Sequence, residues 1–217
     1  SYAIELGNDG RENSGEALLA GSLAKAERTF GKNTRNYVEV LKNYAEYLRE
    51  YKIDREKALS YFEQCAAYVE KNEWDIVLRN NILTGYALAL KDNGQTDKAL
   101  EILQELLFSF SGQTIQHGLY ENPHPDKINS DKYSLKILRA KYDVLQHILK
   151  DKADLKTLLA VAGTSELIIT VLEKVRLNIS EEESRLILGD RYREYYLNAI
   201  RDFNLCYQKT GNTLFFE

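Results

Sequence analysis

Proline and glycine are scarce, 2 and 12 residues of 217, and no long Val/Ile/Thr alternation occurs. With few breakers and abundant Leu, Ala, Lys and Glu, the chain favours helices joined by short turns over sheets, so an all-α class is expected. Cysteine is limited to Cys65 and Cys206. Each lies inside a helical apolar pattern, where a thiol acts as a small hydrophobe, and a reducing, cytoplasmic compartment is favoured. Charge of one sign is also lacking: 29 basic and 33 acidic residues interleave to a net −4. No field gathers phosphates, and nucleic acid is not an expected partner. No run approaches the roughly 18 to 20 uncharged apolar residues that cross a bilayer. Ser1-Tyr2 opens the chain without a signal-like apolar region, so no membrane span is expected, and any targeting segment was removed or never existed.

Chemical motifs are missing as well. There is no phosphate-cradling glycine loop, no His-Glu-x-x-His and no nucleophile elbow. Only the stretch from His117 to Asp126 brings two histidines, His117 and His124, near two carboxylates, Glu121 and Asp126. It reads as a solvated loop stiffened by Pro123 and Pro125, because a metal needs several converging ligands. The Glu181-Glu182-Glu183 run reads as a helix N-terminus stabilised by its dipole. No catalytic residue, metal or cofactor is expected, and the chain is not expected to be an enzyme.

What is present is a core-forming composition, 44% hydrophobic and 29% charged, and an internal period. Glu16-Ala17-Leu18, Lys57-Ala58-Leu59 and Lys98-Ala99-Leu100 place their alanines 41 residues apart. Between them, Leu41, Tyr44, Ala45 and Leu48 recur as Leu83, Tyr86, Ala87 and Leu90, 42 residues on. The one-residue difference falls in a turn, which tolerates it. Small residues at these positions allow close helix crossing, Ala45 against Ala58 and Ala87 against Ala99, with Leu, Tyr and Phe filling the flanks.

Around this period the rest of the chain arranges itself. Residues 1–14 read as a frayed lead-in, and Glu16 to Phe30 as a lone second helix. Residues 109–131, with both prolines, form the one long loop. Leu138, Tyr142, Leu145 and Leu149 restart a helical stripe, and Leu155 to Arg176 is its partner, with Gly163 allowing close approach or a kink. Ser180 and Glu183 form a capping box for a helix with the stripe Leu188, Tyr192, Tyr195, Ala199, Phe203 and Cys206, ending at Gly211. Expected units are 15–31, 34–71, 73–110, 130–176 and 180–217 in a single domain spanning 15–217. The apolar segment from Thr213 to Glu217 reads as a truncated end, because a solenoid needs a polar terminal cap.

The two helix types resemble helices A and B of the tetratricopeptide repeat (TPR), whose motif runs Trp-x2-Leu-Gly-x2-Tyr, Gly, then Ala-x3-Phe-x2-Ala. Here one unit reads Leu83-x2-Tyr86-Ala87-x2-Leu90, Gly94, Ala99-x3-Leu103-x2-Leu106. The other reads Leu41-x2-Tyr44-Ala45-x2-Leu48, Ala58-x3-Phe62-x2-Cys65, and lacks the turn glycine. The period exceeds the usual length of about 34 residues. The resemblance implies a right-handed α-α superhelix, a TPR-like solenoid of antiparallel helix pairs, with A helices lining a concave groove. That groove would present Glu39, Lys42, Glu46 and Arg49, then Asn81, Thr84, Leu88 and Lys91, extended by Asp143 and His147.

Mixed charge with amides suits a protein or peptide partner, whose backbone and side chains both need polar groups. Chaperone-binding TPR proteins grip a carboxylate with lysine and asparagine; Glu46 stands where the asparagine is expected and would repel it. From residue 16 onward, the order of Thr29-Phe30-Gly31-Lys32-Asn33, Asn122-Pro123, Leu138-x-Ala140-Lys141 and Glu183-Ser184-Arg185-Leu186 resembles the helical region preceding caspase-like CHAT protease domains in bacterial proteins. That implies a scaffold docking a C-terminal effector domain of its parent chain, with no protease residue here. The alternative is a peptide-sensing regulatory domain of a bacterial signalling protein.

Overall fold

The computed structural model describes residues 2–72, 75–111, 118–177 and 182–216, and among these no strand occurs. The helices are α1 (Tyr2–Asn8), α2 (Glu12–Phe30), α3 (Arg35–Glu50), α4 (Arg55–Lys71), α5 (Ile76–Asp92), α6 (Thr96–Ser111), α7 (Lys132–Asp151), α8 (Leu155–Leu177) and α9 (Glu182–Thr210). Two compact units result, Ser1–Ala99 and Leu100–Glu217. His117, Gly112, Ser180 and the side chains of Leu188 and Tyr192 lie outside the described residues.

Side-chain caps start most helices. Asp54 accepts from Lys57 N at 2.9 Å, Asp75 from Leu78 N at 2.9 Å, Asp131 from Ser134 N at 2.8 Å and Asp154 from Thr157 N at 2.8 Å. Each satisfies an amide that the first helical turn leaves unpaired.

In the N-terminal unit, α1 packs on α2, α2 on α3, α3 on α4, and α4 on α5, while α3 also touches α5. The repeat is written most clearly in the backbone. Gly10, Lys52 and Gly94, spaced by 42 residues, all have left-handed φ, at 74°, 54° and 77°. The following amides, of Arg11, Ile53 and Gln95, donate to the carbonyls of Leu6, Leu48 and Leu90 at 2.8, 2.9 and 2.9 Å. This is one Schellman-type closure made three times. Lys52 takes the conformation that glycine takes in its two counterparts, which explains how a unit without the turn glycine makes the same turn.

A β-carbon in that conformation costs about 1 kcal/mol. Lys52→Gly is therefore expected to raise the urea midpoint slightly, and Gly94→Ala to lower it by a similar amount.

Three expectations need correction. Residues 2–8 are not a frayed lead-in: α1 buries Ala3 and Leu6, the equivalents of Ala45 and Leu48. The Tyr51 hydroxyl donates to Asn8 Oδ1 at 2.7 Å. Ala17 is exposed, whereas Ala58 and Ala99 are fully buried. The small residue of the first unit is Gly15, buried in α2, where a β-carbon would collide with the Tyr47 hydroxyl. Gly15 and Ala99 each lie five residues after a left-handed position and Ala58 six after its own, because Ile53-Asp54 adds one residue to that turn. Lastly, Ala45 sits with Phe62 and Ala89, and Ala58 with Tyr44 and Leu48, so these alanines fall in separate clusters rather than against each other.

In the C-terminal unit, α7 packs on α8 and α8 on α9. Gly211, at φ 68°, caps α9. The 3-10 turn Thr213–Phe216 folds back on α9 and stacks Phe215 against Phe203 at 6.4 Å between ring centroids. α8 runs without interruption, and a β-carbon at Gly163 would make only an ordinary 3.7 Å contact with Asn122 Nδ2, so no glycine is required there. By length and composition α8 could cross a membrane, with a mean hydropathy of 1.6 in an 18-residue window, although 61% of that window is buried within the protein. Its apolar content is that of a core helix covered by α7 and α9. Both cysteines are free and buried, and burial pushes the Cys65 thiol up to about 12.

Candidate functional site

The A helices of the N-terminal unit, α3 and α5, lie side by side in the same direction. The start of α3 meets the start of α5, where Arg35 pairs with the capping Asp75 at 2.8 Å, and their ends meet where Arg49 pairs with Asp92 at 3.6 Å. Along this edge Arg35 also pairs with Glu39 at 2.8 Å, Lys42 with Glu46 at 3.0 Å, and Lys91 with Asp92 at 3.2 Å. The predicted groove residues of α3 thus form a charge-alternating ladder. Lys42, Glu46 and Arg49 are largely covered, with side chains 15%, 28% and 19% exposed. Arg49 Nε is buried without a hydrogen-bond partner among the described residues.

On α5, Asn81, Leu88 and Lys91 are half-buried. Thr84 is not a groove residue: it is 1% exposed and its hydroxyl donates to Asn80 O at 2.7 Å. The reason is that α5 is buried on several faces, including Asn80, Thr84 and Ala87, so its free edge is narrower than that of α3. Asp143 and His147 belong to the C-terminal unit. Asp143 is exposed, and His147 Nε2 lies 3.8 Å from Asp151 one turn on.

Behind the ladder a second polar device ties three helices together. Lys57 Nζ donates to Glu16 at 3.0 Å and to Tyr44 Oη at 2.9 Å, and that hydroxyl donates to Glu16 at 3.0 Å. Lys57, with Tyr44, holds the Glu16 carboxyl below its ordinary range.

In the C-terminal unit the polar groups are buried deeper. Lys141 is fully buried and donates to Gln104 Oε1 at 2.8 Å, to Asn122 Oδ1 at 3.0 Å and to the Glu121 carbonyl. Gln104 Nε2 in turn donates to the Gly118 carbonyl at 2.7 Å. Burial pushes the Lys141 amine down to about 7. The Lys141 amine ties down the loop leading into Asn122-Pro123.

Nearby, the fully buried Asp202 accepts from Tyr142 Oη at 2.7 Å and Gln146 Nε2 at 3.2 Å. Burial and that carboxylate push the Tyr142 phenol up. The loop end is pinned too, as Lys174 donates to Pro125 O at 3.0 Å and Asp126 at 3.2 Å. The exposed His124 lies 3.6 Å from Asp126.

Sequence reasoning passed over Lys141 and Asp202. A signal existed for the first: Lys141 occupies the stripe 134, 138, 141, 145, 148, all buried, where a charge demands partners.

No family model and no curated protein matches this chain. Solved structures do. One, a Podosopora anserina protein described as kinesin light chain-like with nearly identical TPR-like repeats, aligns with a TM-score of 0.56 at 14% identity, over 97% of this chain and 94% of its own. A singly substituted form of that protein aligns with a TM-score of 0.51 at 16% identity, over 89% and 93%. The fold is TPR-like. At this identity the likeness speaks for architecture, and the TPR-like reading accounts for the closures that repeat at Gly10, Lys52 and Gly94.

Proposed function

We propose that this TPR-like chain is a protein-interaction scaffold whose A-helix edge, along α3 and α5, receives a peptide or partner polypeptide. The observation that carries the reading is the ladder itself. Five ion pairs, from Arg35–Asp75 to Lys91–Asp92, hold both signs of charge at fixed spacing along two parallel helices. The most exposed of them, Arg35–Glu39, contributes little to stability, about 0 to 1 kcal/mol. The value of the ladder lies in register and discrimination between partners. An extended peptide with alternating charge can exchange these pairs for its own, whereas a uniformly charged ligand meets repulsion at every second position. On the CHAT-type resemblance, the natural occupant is a caspase-like effector domain of the parent chain. The fold supplies the surface, and no chemistry is assigned to it.

Selection of peptides from a displayed random library on the immobilised chain tests this. Selected peptides are expected to lose about threefold to tenfold in affinity on Lys42→Glu and to recover in part when Glu46→Lys is added, since the pair is then restored in reverse. Peptides indifferent to both substitutions would count against the A-helix edge.

A further inference from the structure

A cavity of about 500 Å³ opens in the N-terminal unit, where the turn preceding α3 meets the C-terminal half of α4. It lies on a different side of α3 from the ladder. Tyr37, Val38 and Leu41 face it, roughly a third of a turn round the helix from Glu39, Lys42 and Glu46. Its floor is apolar, with Val38 2% and Leu41 1% exposed.

The charged residues that border it share one sign, beside the amides of Asn33, Gln64 and Asn72. Lys32 and Lys71 border it, and no carboxylate among the described residues does, in a chain of net charge −4. Lys32 reaches Glu27 at 3.2 Å, but their side chains are 63% and 46% exposed, so that pair is readily exchanged. Lys71 forms no ion pair with a described residue. Tyr37 is only 5% exposed, and its hydroxyl, which makes no hydrogen bond to a described residue, is not sealed from water. Burial pushes the phenol up; like any tyrosine hydroxyl it is a neutral donor at neutral pH. Two ammoniums, one in an exposed and exchangeable pair, and a hydroxyl at the edge of an apolar floor suit an acceptor that also carries methylene or aromatic carbon. Inorganic phosphate supplies only the acceptor; a glutamate within a peptide supplies both.

We propose that this cavity is a second recognition site, taking a glutamate or aspartate side chain from an acidic peptide, with Lys32 and Lys71 balancing its charge and Tyr37 donating to it. The site does not rest on the A-helix edge and stands or falls separately.

Fluorescence anisotropy on the full chain tests it, using a labelled peptide of alternating glutamate and leucine and its glutamine-for-glutamate counterpart. The glutamate peptide is expected to bind saturably and at least about fivefold tighter than the glutamine one. The double variant K32Q/K71Q loses about fivefold, as two partly exposed charge contacts predict. Tyr37→Phe, which keeps the ring and the packing, loses about threefold, and Lys98→Gln, at an exposed lysine that does not line the cavity, changes nothing. Equal binding of the glutamine peptide, indifference to K32Q/K71Q, loss of binding in Lys98→Gln, or full displacement by millimolar inorganic phosphate would each overturn the assignment.

Discussion

Ala58→Glu is expected to destabilise the N-terminal unit by about 4 kcal/mol or more, enough to abolish its cooperative unfolding transition at ordinary temperatures. Ala58 is fully buried with Tyr44 and Leu48, and Leu19, Leu23, Ile53 and Tyr61 pack around that cluster. The introduced carboxylate has no room and no cation at that depth; the neighbouring Lys57 is already committed to Glu16 and Tyr44. Ala17→Glu is the matched control. Ala17 is exposed on α2, so the same change there is expected to alter stability by no more than about 0.5 kcal/mol. The two alanines are equivalent in sequence spacing and opposite in environment. Equal effects in urea titrations of the two variants would contradict the packing register described for α2.

Lys141→Met comes next in size. Methionine fills much the same volume, but Gln104 Oε1, Asn122 Oδ1 and the Glu121 carbonyl lose their shared donor. Each orphaned acceptor costs about 1 to 3 kcal/mol, partly offset because the amine no longer has to be desolvated, for a net loss of about 2 to 4 kcal/mol in the C-terminal unit. A pH signature accompanies the loss. In the folded state the amine gives up its proton at about 7, against an ordinary 10.5. Between those values the unfolded chain binds more protons than the folded one, so this group makes stability rise as pH increases through the window. Below about 7 both states hold the proton, and the cost of burying the charge is felt in full. Urea titrations at pH 7 and pH 9 are expected to show that rise in the wild type and a flatter response in Lys141→Met.

Much of the architecture was legible because it rests on periodic apolar side chains. Leu41, Tyr44, Ala45 and Leu48 announce α3, and all are buried. The first unit was harder to read. Its small residue is a glycine two positions before the alanine that fits the spacing, and only Tyr47 resting on Gly15 reveals it. The turn at Lys52 was illegible for a related reason: glycine marks a left-handed backbone in the sequence, and a lysine forced into the same conformation does not. Helix α1 was misread because seven residues are too few to show a helical period, and they gain their order from Tyr51 and α2.

That Lys42, Glu46 and Arg49 share one side of α3 was legible from the helical spacing within that helix. The burial of Thr84 was not, because the 42-residue offset from Lys42 places it on a helix that is covered on more of its faces. Asp75 and Asp92, which complete the ladder, sit at the ends of α5, where capping rather than the apolar stripe decides position. Lys141 shows the converse case, a charge in an apolar stripe whose meaning emerges only once the distant Gln104 and Asn122 are seen to converge on it.

The A-helix edge as a polypeptide-binding surface is tested most directly by hydrogen–deuterium exchange of the full chain with and without a library-selected peptide. Added protection is predicted along the edge formed by residues 39–50 and 81–92, with little change in peptides from α4. Protection confined to α4 or to the C-terminal unit, or no protection under saturating peptide, would contradict it.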